Sequence, residues 1–296
     1  MRDVSWILLA LLAALTSAAT NLALKRALAH GGVVASTVWY RFVGGLLLGA
    51  IVLAMGARPH ATPAYWRTVA EVLPPECVGV LCMVRAFREG ELSEVQPIFG
   101  LLPLFVMAGG AVILREVPTP TAAFGVAVLA AGIYTVGLTA GGSILAPVRA
   151  LARKSSSWYA VASTACFSIT SVLHKIGIAE VGPLPWGTTL GVGSALSLAV
   201  LLPLAGRRRA GPVAVDAGRW TRLVLLAGLF FALQQVGLQL ALRMQDAAYV
   251  VSISSTSVIF VSVLAVLVLG ERQAAAHRIA GSVLVSAGAA LIALGG

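Results

Sequence analysis

Long apolar stretches recur along almost the whole chain, and they constrain its fold more than any other feature. A helix that crosses a bilayer needs about 20 predominantly apolar residues. Ten such segments occur, and turn formers such as His30-Gly31-Gly32 lie between them. They are 6–24, 33–55, 66–87, 93–114, 120–139, 158–178, 185–204, 220–242, 249–269 and 279–294. The sequence therefore predicts ten transmembrane helices, numbered here as spans 1 to 10.

The scarcity of charge supports the same interpretation. Of the 296 residues, 11% are charged and 59% are apolar, whereas soluble domains carry about 25% charged residues. A chain with so few charges lacks the polar surface that water requires, so a lipid bilayer is the expected surrounding. The first segment resembles a cleavable signal peptide, but it continues to Leu24 before Lys25-Arg26. We expect it to be retained as span 1.

The net charge of +10 does not indicate a nucleic-acid partner. The basic residues form short clusters beside apolar segments, such as Lys25-Arg26 and residues 207–209, as expected for anchors at lipid headgroups. The sequence lacks a nucleophile triad, a phosphate-binding loop, a metal-ligand cluster and a dinucleotide fingerprint. We therefore predict a protein without a cofactor that is not an enzyme.

An internal repeat organises the chain. A shift of 155 residues aligns 65–116 with 220–271 without a gap, and a shift of 150 places Lys25 on Lys175. The charged matches at the longer shift are Arg67 with Arg222, Arg88 with Arg243, and Glu116 with Glu271. Apolar bias does not produce charged matches. The sequence therefore predicts two five-helix halves, 1–139 and 158–296, joined by the connection 140–157.

The odd number of spans in each half determines the architecture. Two halves of five spans must lie in opposite orientations, and such inverted repeats are typical of transporters with a site near the bilayer midplane. The predicted fold is thus an all-α integral membrane protein with ten transmembrane helices, arranged as two inverted five-helix repeats around a central cavity.

Span 3 carries the first candidate for a functional group. Pro74-Pro75 predicts a break in the helix, which would place Glu76 in the first turn of a new half-helix. A carboxylate in the middle of a membrane helix costs about 2.5–3.5 kcal/mol, and its match in the other half is Phe231. Glu76 is therefore predicted to bind a cationic group or a proton. The alternative is a structural carboxylate that bonds the amides of the break.

Polar and aromatic side chains on six other spans are further candidates for the lining of a cavity. Thr164, Ser168, Ser171 and Lys175 recur at helical spacing along span 6. The remaining candidates are Lys25 in span 1, Tyr40 in span 2, Gln96 and Phe99 in span 4, Gln235 in span 8, and Ser252 and Ser255 in span 9. Bonding between helices is the alternative for the serines and amides. Lysines at helix ends also extend to the headgroups.

One feature of span 2 and one feature shared by spans 2 and 7 have alternative interpretations. Tyr40 and Arg41 would contact the ring and the carboxylate of a substrate, or would anchor the helix at the interface. The spacings Gly45–Gly49 and Gly187–Gly191 predict close helix packing, with a dimer contact as the alternative. The expected state is a monomer or a weak dimer.

The turn between the last two spans of each half carries a family resemblance. It reads Leu114-Arg115-Glu116 in one half and Leu269-Gly270-Glu271 in the other, each followed by a helix with spaced glycines. With prolines in span 4, these turns resemble the ten-helix EamA-type branch of the drug/metabolite transporter superfamily. The second half departs from the pattern, because Val258 stands where a proline is common. The resemblance implies export of small metabolites such as amino acids.

We therefore predict a secondary transporter in the bacterial inner membrane that moves amino acids or amines by alternating access. Proton coupling through Glu76 is part of this expectation. The few central cations argue against sugar phosphates. The alternative is a membrane-embedded enzyme or a lipid-handling protein that uses Glu76.

Two arguments about orientation conflict. Connections after odd-numbered spans hold 14 Lys and Arg residues, and the termini and other connections hold six, which predicts both termini outside the cell. The family resemblance implies both termini inside. Under either argument the two termini share one side of the membrane.

Overall fold

The computed structural model describes residues 5–57, 61–90, 92–116, 118–136, 154–203, 216–264 and 275–295. These residues form twelve α-helices and one π-helical turn, Gly110–Leu114. The helices are α1 (Ser5–Ala27), α2 (Val33–Ala54), α3 (Pro63–Glu89), α4 (Leu92–Phe99), α5 (Leu102–Gly109), α6 (Pro120–Val136), α7 (Ser155–Val181), α8 (Pro183–Ala199), α9 (Ala217–Met244), α10 (Ala247–Ser254), α11 (Ser257–Leu264) and α12 (Ala275–Gly295).

The twelve helices correspond to the ten predicted spans in order. Among the described residues, span 4 contains α4, α5 and the π-helical turn, span 9 contains α10 and α11, and every other span is one helix. By length and composition alone, α1, α2, α7 and α9 are each apolar enough to cross a membrane. The turn at Gly270-Glu271 and most of the connection 140–157 lie outside the described residues.

Spans 4 and 9 are interrupted at equivalent positions of the two halves. The first interruption is at Gly100-Leu101 and the second at Ser255-Thr256, which the shift of 155 residues superimposes. Pro103 lacks an amide hydrogen and contributes to the first interruption, but the second half has Val258 in the equivalent place. The interruption is therefore a property of the fold. It occurs with proline at this position in one half and with valine in the other.

Span 3 is continuous, so the predicted break at Pro74-Pro75 is wrong. The helix α3 extends from Pro63 to Glu89 with both prolines inside it. Proline disfavours helical geometry in the residue before it without forbidding that geometry. The helix packs along α7, where Gly79 lies against Cys166 and Phe167. Tertiary packing thus outweighs the local preference, and Glu76 occupies a helix interior rather than a half-helix start.

The two halves pack into one another rather than side by side. Helix α1 lies along α9, and its repeat equivalent α7 lies along α3. Helix α2 pairs with α8, and α6 pairs with α12, so each of these pairs joins equivalent spans of the two halves. The four most extensive contacts between described helices therefore each join one half to the other.

Glycines allow the closest of these crossings. A Cβ atom added to Gly191 of α8 would lie 2.6 Å from the Cα of Gly45 in α2. At the other pair, a Cβ atom on Gly288 of α12 would lie 2.5 Å from the backbone nitrogen of Leu129 in α6. Small residues at such crossings bring two helix backbones into contact. The predicted close packing at Gly45 and Gly191 agrees with these distances.

Arg115 ends the π-helical turn in a left-handed backbone conformation, with φ 59° and ψ 26°. This conformation disfavours residues with a Cβ atom by roughly 1–2 kcal/mol. The equivalent position in the other half is Gly270. The first half thus has a strained arginine at a position where the sequence of the second half has glycine, a residue type that adopts this conformation without the steric penalty.

We expect Arg115→Gly to raise the thermal midpoint by about 2–4 °C, because it relieves a strain of about 1 kcal/mol. Arg115 is exposed, so the loss of its side chain removes little packing. Arg115→Ala, the matched control, keeps the Cβ atom and removes the charge, and its midpoint should not rise. The measurement is thermal unfolding of the purified protein in detergent. An equal rise in the thermal midpoint of both variants would contradict the proposal that the backbone of Arg115 is strained.

Candidate functional site

A buried ion pair joins two neighbouring spans in their middle sections. Arg41 of α2 and Glu76 of α3 form a salt bridge between Nη2 and Oε1. Their relative exposures are 2% and 4%. A charge inside a membrane protein is expensive unless an opposite charge compensates it. The pair is therefore the electrostatic centre of this part of the molecule.

The guanidinium of Arg41 also contacts the other half of the protein. Its Cζ atom lies 4.8 Å from the centroid of the Phe231 ring in α9. Tyr40 packs edge-on against the same ring, with centroids 5.5 Å apart. Phe231 is the repeat equivalent of Glu76. Arg41 thus lies between two equivalent positions, a carboxylate in one half and an aromatic ring in the other, and a ring face attracts a cation.

Span 6 supplies further polar neighbours of the carboxylate. Thr170 and His174 of α7 interact with Glu76. The Nδ1 atom of His174 accepts a hydrogen bond of 3.4 Å from the indole of Trp186, which is fully buried. His174 and Trp186 were not predicted as site residues, because nothing in the helical spacing connects them. Four spans, 2, 3, 6 and 8, therefore meet at Glu76 and Arg41.

Some polar atoms near these spans have no hydrogen-bond partner among the described residues. They are Nε of Arg41, Oε1 of Gln239 and Oγ of Ser163, and all are buried. A buried polar atom without a partner costs about 1–3 kcal/mol, so each is a place where a ligand or a water molecule would be stabilised. The atom on Arg41 is the one that belongs to the ion pair.

A face of α9 continues from the aromatic ring as a row of amides. Phe231, Gln235 and Gln239 follow one another at intervals of four residues. The Nε2 atom of Gln239 donates a hydrogen bond of 2.7 Å to Oε1 of Gln235, and both side chains are buried. Each lies near Gly187 of α8, at 3.6 Å from an added Cβ atom. Gln235 is therefore buried between helices and does not face lipid.

The predicted serines make bonds within their own helices. Ser252 donates to the carbonyl of Ala248 at 2.6 Å, and Ser255 donates to that of Val251 at 2.8 Å, beside the interruption of span 9. Ser168 donates to Ala165 at 2.7 Å. Ser168 and Ser171 are half-buried, while Thr170 of the same helix is fully buried and interacts with Glu76.

In span 4, Phe99 is half-buried and packs edge-on against Phe87, with centroids 5.9 Å apart. The side chain of Gln96 lies outside the described residues. A substrate-binding role for these residues stays a prediction.

The two predicted lysines bind groups at helix ends. The Nζ atom of Lys25 donates to the carbonyls of Phe87 and Gly90, at 2.6 and 2.7 Å, where α3 ends. Lys175 forms a salt bridge with Glu116. Both lysines therefore bind protein groups close to a membrane surface, and the structure favours neither the substrate role nor extension to the headgroups.

Ten spans in two repeats of five, with a charged pair buried between the repeats, define a polytopic membrane protein built from a duplicated unit. The model of the EamA-like transporter family matches this chain twice, over residues 4–138 and 154–294. The chain belongs to the EamA-like transporter family, within the drug/metabolite transporter superfamily.

A solved structure, titled "Crystal structure of protein", has the same fold. It aligns with a TM-score of 0.75 and 20% sequence identity, and the alignment covers 98% of each chain. No curated protein matches the chain. The predicted fold class and the predicted multi-pass membrane location are confirmed.

Proposed function

We propose that this transporter moves small metabolites that carry both an ammonium and a carboxylate group, such as amino acids, with amines as related substrates. It works by alternating access and in the direction of export, in the bacterial inner membrane. The observation that carries the proposal is the buried pair of Arg41 and Glu76, which lies in the middle of the spans and contacts both halves.

The chemistry of the pair matches such a substrate. In the structure the guanidinium and the carboxylate neutralise each other. A zwitterion between them would place its carboxylate on Arg41 and its ammonium on Glu76, so the buried charge stays balanced. Nε of Arg41 has no partner among the described residues and would donate to the incoming carboxylate. Tyr40 and Phe231 would then contact the apolar part of the substrate.

The same arrangement permits proton coupling. A proton on Glu76 removes the negative charge that would bind the substrate ammonium, so the proton would compete with the substrate for the site. Loss of that proton restores the carboxylate, which then pairs with Arg41 or with the ammonium of a new substrate. An ammonium and a proton would therefore be alternative ligands of Glu76, and exchange of one for the other would couple transport to protons.

The charge inventory disfavours phosphate esters. Among the buried side chains that the structure describes, the residues with a formal charge are Arg41 and Glu76. A phosphate ester carries up to two negative charges and would need further cations for compensation. The site as described fits a ligand with no net charge, or with a single positive charge when Glu76 acts as the acceptor.

Counterflow in proteoliposomes tests the proposal. Vesicles preloaded with an unlabelled amino acid should accumulate the same labelled amino acid several-fold above empty vesicles. Parallel assays with amines, nucleotides and phosphate esters define the substrate class. A vesicle population that contains the double variant Arg41→Met/Glu76→Leu is the control for leakage. Counterflow of phosphate esters alone, or chemical conversion of the solute, would overturn the proposal.

A further inference from the structure

A second charged cluster connects the two halves at one membrane surface. Glu116 follows span 4 and forms a salt bridge with Lys175 near the end of span 6. The other carboxylate oxygen of Glu116 accepts a hydrogen bond of 3.0 Å from the backbone amide of Ala247, the first residue of α10. One carboxylate of the first half thus binds two separate helices of the second half, and a helix start favours a negative charge.

Lys175 completes the cluster. Its Nζ atom donates to the carbonyl of Gln245 at 3.3 Å and lies 3.5 Å from a carboxylate oxygen of Asp246. The side chains of Lys175 and Glu116 are 23% and 13% exposed. The cluster is therefore protected from most solvent without being enclosed, unlike the pair in the middle of the membrane.

A comparison of Lys175 with its equivalent Lys25 shows which contacts of the cluster join the two halves. Lys25, equivalent to Lys175, donates to the carbonyl of Gly90, and Gly90 is equivalent to Gln245. Each lysine therefore binds the end of a helix within its own half. The bonds from Glu116 to Lys175 and to the amide of Ala247 connect one half with the other.

The position of the cluster along the chain determines its side of the membrane. Glu116 follows span 4, Lys175 lies near the end of span 6, and Asp246 follows span 8. Even-numbered spans all end on one surface, and span 10 ends there as well. The cluster therefore lies on the side of the membrane that holds the N- and C-termini.

We propose that the ion pair between Glu116 and Lys175 is a gate on the terminal side, which breaks in each transport cycle when the central site opens to that side. This inference rests on the proposed alternating access. To open the protein on this side, the end of span 4 has to separate from spans 6 and 9. Because Glu116 binds both of those spans, its bonds to them have to break.

An accessibility experiment tests the gate without any substrate. After replacement of the native cysteines Cys77, Cys82 and Cys166, Ser252→Cys places a thiol in α10, at a position that is fully buried in the structure. Lys175→Gln should make its alkylation by a membrane-impermeant maleimide about tenfold faster in nanodiscs, because the open state gains population. Arg67→Gln is the matched control, since it removes the cation of an exposed pair within α3.

Reversible cross-linking tests the movement itself. Glu116→Cys/Lys175→Cys is joined by a short thiol-specific cross-linker that contains a disulfide. Counterflow should fall at least about tenfold and return after reduction. The same treatment of Arg67→Cys/Glu71→Cys, two positions in one helix, should leave counterflow unchanged.

The outcomes separate this inference from the proposed function. Full counterflow in the cross-linked protein, or an unchanged rate of alkylation in Lys175→Gln, would overturn the gate. Faster alkylation in Lys175→Gln, without counterflow of any amino acid or amine by the unmodified protein, would support the gate and refute the proposed substrate.

Discussion

Glu76→Leu should lower the free energy of unfolding by about 3–5 kcal/mol and abolish transport, because it leaves the guanidinium of Arg41 buried without a counter-charge. The double variant Arg41→Met/Glu76→Leu should recover most of that stability, since well-packed apolar residues replace a buried pair at little cost. It should not recover transport if the two charges bind the substrate.

Thermal unfolding in detergent and counterflow in proteoliposomes measure the two effects separately. Glu71→Leu is the matched control, because Glu71 pairs with Arg67 on an exposed part of the same helix. This control should unfold and transport like the unchanged protein. Normal transport by the double variant would show that the pair is structural. If Glu76→Leu were as stable as the double variant, Arg41 would have found another partner for its charge.

Gly191→Ala should destabilise the protein by about 1–3 kcal/mol, because the new methyl group meets backbone atoms that cannot move aside. Its Cβ would lie 2.6 Å from the Cα and 2.9 Å from the backbone nitrogen of Gly45. Helices α2 and α8 would have to separate, and they form one of the closest contacts between the two halves. We therefore expect transport activity to fall together with stability.

The control lies one turn away on the same helix. An added Cβ at Gly187 would be 3.4 Å or more from its neighbours, and those neighbours are side-chain atoms. Gly187→Ala should be neutral, or more stable by roughly 0.5–1 kcal/mol, because alanine favours a helix. Equal midpoints for Gly187→Ala and Gly191→Ala in thermal unfolding would contradict the close crossing at Gly45.

The sequence predicted the number and order of the spans and their division into two repeats, because these follow from the length of apolar segments and from matches between halves. The interruptions within spans were not predictable in the same way. Proline marks the break in span 4, but span 9 breaks beside Ser255 and Thr256 without it, and span 3 continues through two prolines. Whether a proline interrupts a helix depends on the tertiary packing around it, and the local sequence does not determine that packing.

The site was predicted in part. Glu76, Tyr40 and Gln235 were identified as polar or aromatic groups inside apolar segments, and the structure buries all three. The contact of Arg41 with Glu76 and Phe231 was missed, since periodicity along one helix does not show which helices are neighbours. Charge balance was the available signal, because an arginine inside span 2 needs a counter-ion and Glu76 lies in the next span.

Biosynthesis places a further demand on the pair of Arg41 and Glu76. The two residues lie on consecutive spans, so the ribosome delivers them as one helical hairpin before any part of the second half exists. Helix α3 is not among the helices that are apolar enough to cross a membrane on their own. Each charge alone would oppose insertion by about 2.5–3.5 kcal/mol. A hairpin in which they neutralise each other would enter the bilayer as a unit without this unpaired charge, and we expect span 2 to assist the insertion of span 3.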